Sequence, residues 1–105
     1  MRQDIKEIYQ PKFYIHWDYE TIAADIRKEG FDPIYITDSP GTIYSPHQHP
    51  ETKLLAFLEG DMEVRVGRQV YPCGIGDKLV IPGHVEHSAI AGSRGCSFFW
   101  SEKLS

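Results

Sequence analysis

Two stretches decide the fold. The first is Gly41-Thr42-Ile43-Tyr44-Ser45-Pro46-His47-Gln48-His49, and the second is Gly76-Asp77-Lys78-Leu79-Val80-Ile81-Pro82-Gly83-His84-Val85-Glu86-His87. In the first, His47 and His49 stand two residues apart. On an extended chain such side chains point the same way, so both imidazoles can reach one metal ion. Neutral imidazole suits Zn, Fe, Ni and Cu. Taken alone, two histidines on one strand face also read as plain polar residues.

Outward from these stretches the chain alternates short apolar runs with Gly and Pro. Ile34-Tyr35-Ile36-Thr37 is β-branched and aromatic and predicts a strand. Thr42 to Ser45 follows the Ser39-Pro40-Gly41 turn, and Lys53 to Leu58 comes next. Glu59-Gly60-Asp61 reads as a turn into Met62 to Val66, where Met62, Val64 and Val66 share one face. Val70-Tyr71, Lys78 to Ile81, Val85 to Ala91 and Ser97 to Ser101 complete about eight short strands, the pattern of an all-β sandwich, jelly roll or barrel.

Strand 53–58 is apolar on both faces. With the parity of His47 and His49 taken as inward, Lys53, Leu55 and Phe57 point in, while Leu54, Ala56 and Leu58 point out and need a cover. Either the N-terminal segment or a second subunit supplies it, and a homodimer is the expectation. Upstream, Tyr9, Phe13, Tyr14, Ile15 and Trp17 form an aromatic arm. From Asp18 the pattern turns helical, with Asp18 as N-cap, Ile22, Ala23 and Ile26 at helical spacing, and Gly30 as the stop. The chain is read as one domain over 1–105, with the arm and short helix in 1–33 and the barrel in 34–105.

Composition narrows the function classes. The chain has 105 residues with 41% hydrophobic and 25% charged, which is ordinary globular composition. A formal net charge of −4 without a basic run argues against nucleic acid and anionic membrane surfaces. The longest apolar run, Leu54 to Leu58, is far short of a bilayer span, and no apolar signal core follows Met1. A cytoplasmic protein is expected, with Cys73 and Cys96 as reduced, packed thiols.

The two quoted stretches resemble the cupin superfamily of small β-barrels. The family's first motif, G-x5-H-x-H-x3-E-x6-G, aligns without a gap on Gly41, His47, His49, position 53 and Gly60. Its second, G-x5-P-x-G-x2-H-x3-N, aligns on Gly76, Pro82, position 84, His87 and position 91. The resemblance implies a cupin-type jelly-roll β-barrel with His47, His49 and His87 as ligands of a divalent metal: Zn, Fe, Mn or Ni. It departs from the family at Lys53, where the glutamate ligand belongs, at His84 in place of glycine, and at Ala91 in place of asparagine.

Lys53 sets the problem of the site. A +1 and a +2 charge about 5 Å apart repel by roughly 6–7 kcal/mol at an effective dielectric near 20. Three outcomes are open. Lys53 swings away to Glu51 or another carboxylate, leaving three histidines and open coordination positions. It loses its proton, since burial and a nearby cation disfavour the ammonium. Or no metal binds, and the site is a polar ligand pocket. The pocket candidates are Lys53, Glu51, Tyr44, Phe57, His84 and Trp100, with Lys53 the candidate catalytic base or anchor. The resemblance implies dioxygenase- or isomerase-like action on a small polar or anionic molecule. The alternative is a non-catalytic barrel that binds a sugar or carboxylate through Lys53.

Overall fold

Residues 8–104 are described by a computed structural model of the chain. The elements are β1 (Tyr9–Gln10), α1 (Tyr19–Lys28), β2 (Ile34–Asp38), β3 (Ile43–His47), β4 (Glu51–Val66), β5 (Gln69–Gly74), β6 (Lys78–Ile81) and β7 (His87–Leu104). All strand pairs are antiparallel. The main path runs β1-β6-β4-β7-β2, with β3 also on β7 and β5 also on β4. The all-β class expected from the strand and turn spacing is what the chain adopts.

Two long strands replace four of the expected short ones. Glu59-Gly60-Asp61 does not turn the chain back; it lies inside β4, where the ladder to β7 shifts register on both sides of Gly60. Likewise, β7 runs on through 92–96 where the sequence suggested a break. Gly60 has φ +71, and a Cβ there would fall 2.0 Å from the carbonyl oxygen of Gly95, itself at φ +77. The two glycines let β4 and β7 bend together at close approach. A glycine between acidic residues gives the same local signal in a hairpin and in a bulge.

The inward parity set by the histidines holds. Leu55, Phe57, Met62, Val64, Val66, Leu79, Ile81 and Phe98 form the inner core. The outward residues Leu54 and Ala56 pack with Phe99 against Tyr14, Ile22, Ala23, Ile26 and Phe31. The N-terminal segment therefore supplies the cover, and this face gives no ground for a second subunit. Each fully buried Leu, Ile or Phe side chain there contributes about 1.5–3 kcal/mol, so the helix and sheet stabilise one another.

Local signals position α1 as the sequence predicts. Asp18 Oδ1 accepts the Thr21 N–H at 2.8 Å, and hydrogen bonding to Thr21 holds its carboxyl below the usual range. At the other end Gly30 has φ +93, its N–H donates to Arg27 O, and the Phe31 N–H donates to Ile26 O. This is a Schellman closure, with Phe31 and Ile26 in the same apolar cluster. Among the described residues no helix is long and apolar enough to cross a membrane. Cys73 and Cys96 are free and buried in the inner core.

Candidate metal centre

Three chain segments bring the histidines together. His47 ends β3 and pairs directly with His87, which begins β7. His49 follows in the short connection to β4, and its carbonyl accepts the His84 N–H at 2.6 Å. Ring centroids lie 4.4 Å apart for His47 and His49, 4.4 Å for His47 and His87, and 5.2 Å for His49 and His87. One ring nitrogen from each residue lies within 4.8 Å of the others.

Neighbouring groups orient these rings. His47 Nδ1 meets the Ser45 carbonyl at 2.5 Å, and His87 Nδ1 meets the Val85 carbonyl at 3.1 Å. An N–H on each of those nitrogens leaves Nε2 with a free lone pair, the usual second-shell arrangement for a metal-binding imidazole. His49 Nδ1 is buried and lacks a hydrogen-bond partner, alone among such side-chain atoms of the described residues. Burial, with Lys53 and His47 nearby, lowers the His49 pKa. Burial also lowers that of His87, reinforced by the two other histidines and Lys53. Both shifts favour the neutral form that coordinates metal. The donor set and the unpartnered nitrogen fit a divalent ion.

Lys53 points inward, as its parity requires, and is only 4% exposed. Its ammonium pairs with Glu102, not Glu51, and lies 4.3 Å from the Trp100 ring centroid, so it has a carboxylate partner without swinging out of the pocket. Glu102 is the residue that sequence reasoning missed. It stands directly opposite Lys53 in the β4–β7 ladder. Its signal was the parity of Phe98, Trp100 and Glu102 along one strand, but its partner is fixed only by a register spanning 49 residues.

Below the histidines lies a cavity of about 60 Å³, lined in part by Tyr44, His47, Lys53, His87 and Trp100 over an apolar floor including Leu55, Met62 and Val64. Tyr44 and Trp100 thus reach the expected pocket. The Tyr44 hydroxyl donates to Asp38 at 2.7 Å, and burial together with that carboxylate pushes its pKa up to about 12. Phe57 does not line this cavity: it is fully buried against Phe98 in the core. Parity gave its direction but not its depth. His84 is exposed and absent from the lining. It has φ +66, so it adopts the left-handed backbone that the motif's glycine would supply, and it acts through its N–H on His49. Glu51 begins β4 opposite Leu104, outside the histidine group and the cavity lining.

With this geometry in place, comparison with known proteins is direct. The model of the cupin domain matches residues 34–101, well over half of the chain. The chain belongs to the cupin family. No curated protein matches it. Among solved structures, the cupin domain of Schizosaccharomyces pombe Cnp3 aligns with a TM-score of 0.66 at 13% identity, covering 71% of this chain and 53% of that one. KdgF from a Halomonas species aligns at 0.62 and 20% identity, over 98% of this chain and 87% of that one. A variant of oxalate decarboxylase from Bacillus subtilis aligns at 0.65 and 20% identity, over 75% of this chain but 23% of that one. The chain thus spans about half of the Cnp3 structure and under a quarter of the decarboxylase. At these identities the likeness shows the fold alone.

Proposed function

We propose that this protein is a small cupin whose His47, His49 and His87 hold one divalent transition metal, and whose cavity takes a small anionic molecule. The convergence of three ring nitrogens within 4.8 Å carries the reading. Supporting it are the backbone carbonyls that orient His47 and His87, and the pairing of Lys53 with Glu102, which offsets the charge that would otherwise oppose a cation. A bound ion would supply Lewis acidity and open coordination positions. His47, His49 and His87 would hold it, Lys53 would attract and orient the anionic group, and the apolar floor would exclude water from the rest.

The B. subtilis oxalate decarboxylase, a protein described with Mn(II) centres, gives a precedent for a metal on this fold. It does not select the metal or the reaction here. Metal analysis of tag-free protein purified without chelator tests the reading. About one equivalent in the native protein and little in His87→Ala is expected, because removing one of three ligands weakens a site sharply. No uptake of Zn, Fe(II), Mn or Ni on reconstitution would defeat it. Binding of an anion through Lys53 without metal, the non-catalytic alternative, would then remain as the function of the cavity.

A further inference from the structure

The lysine and glutamate at the cavity wall are unequal. The Lys53 side chain is 5% exposed, whereas that of Glu102 is 40% exposed. A carboxylate that already faces water can leave its partner at little cost, but a buried ammonium left alone has no water to replace it. An ammonium also carries three N–H donors, and Glu102 Oε1 takes one of them. Trp100 covers another side of the charge at 4.3 Å. The cavity bounded by Lys53, His47, His87 and Trp100 has about 60 Å³. That is room for about four water-sized positions, and so for a ligand of a few non-hydrogen atoms.

We propose that Glu102 is a resident counter-ion that a small carboxylate replaces. The ligand enters the cavity, takes the Lys53 ammonium, and releases Glu102 to solvent. This deepens the reading of the site as one for an anion, and it names both the chemical class and the residue that competes with it. The same exchange links the two halves of the site. With Glu102 in place, the positive charge of Lys53 is neutralised and the histidines can accept a dication. With Glu102 gone and no ligand present, that charge acts on the metal position.

The consequence is a pair of opposite effects from one substitution. Glu102→Gln keeps the size of the side chain and removes its charge. Acetate is the probe, titrated into metal-free protein at constant ionic strength against chloride and followed by NMR. Zinc affinity is measured separately by competition with a chromophoric chelator. Glu102→Gln should bind acetate about tenfold more tightly and zinc about tenfold more weakly. Lys53→Met should lose acetate binding and bind zinc more tightly.

A substitution that merely damages the fold lowers both affinities, so opposite signs separate the two causes. Glu102→Asp, which keeps the charge but shortens its reach, should move acetate in the same direction by less and provides the measurement if the Gln variant folds poorly. Acetate binding that is unchanged or weaker in Glu102→Gln overturns the proposal. So does acetate binding in Lys53→Met that equals the native level, or no acetate binding by the native protein. Failure of the native protein to take zinc would defeat the metal reading alone, because the acetate series is run without metal.

Discussion

Two lysines sit on opposite faces of the same pair of strands. Lys53 on β4 faces inward and pairs with Glu102; Lys78 on β6 faces outward and pairs with Glu29 at 2.6 Å. Each is nearly buried, and each lies over an aromatic ring: Lys53 over Trp100 at 4.3 Å, Lys78 over Phe13 at 4.5 Å. Each glutamate is about two-fifths exposed. The local chemistry is nearly the same, but the surroundings differ. Beyond Lys78 are the C-cap of α1 and the rings of Phe13 and Tyr14, so the charge fastens the helix to the barrel. Beyond Lys53 are a cavity and three imidazoles, two of them held toward the neutral form. A buried ion pair is therefore not in itself a mark of function; what it faces decides.

Substitutions can break this contrast, and the cover over the outer face gives the largest expected effect. Ile26 is fully buried between α1 and the sheet. Ile26→Ala should destabilise by about 2–5 kcal/mol, read by urea denaturation, and leave zinc affinity unchanged. A loss under about 0.5 kcal/mol, the range of ordinary surface changes, would mean that α1 contributes little to the fold.

Next comes the outer lysine. Lys78→Met keeps the stem and removes the charge. It leaves Glu29 unpaired but partly hydrated, so a loss of about 1–2 kcal/mol is expected, below the figure for fully buried pairs. Zinc binding should not change. The inner counterpart, Lys53→Met, likewise leaves a partly hydrated carboxylate, Glu102, so a similar loss of about 1–2 kcal/mol is expected. What sets it apart should be tighter zinc binding. If the two variants behaved alike in both assays, the functional distinction between the pairs would fail.

The same contrast shows what the sequence makes legible. His47, His49 and His87 could be read because their constraint is local: strand parity for the first two, and motif spacing for the third. The inward direction of Lys53 followed from the same parity. Its partner did not, because Glu102 meets Lys53 only through a ladder whose register is a property of the whole sheet. Gly60 was read as a turn because φ above zero is shared by turns and bulges, and only the approach of Gly95 separates them. The cover over Leu54 and Ala56 was legible as a need but not as a choice, since an amphipathic helix and a second subunit satisfy it equally. Phe57 shows the remaining gap: alternation says which way a side chain points, not whether a cavity reaches it.

The pairing of Lys53 opposite Glu102 has a consequence for how the sheet assembles. A slip of β4 by one residue against its neighbours would turn every side chain of the strand over. Lys53 would then enter the greasy layer of Ile22, Ile26 and Phe31, and Leu54 would face the imidazoles. Neither arrangement can be relieved by small adjustments. The charge that complicates the metal centre thus also serves as a proofreading mark, penalising barrels whose strands are misaligned.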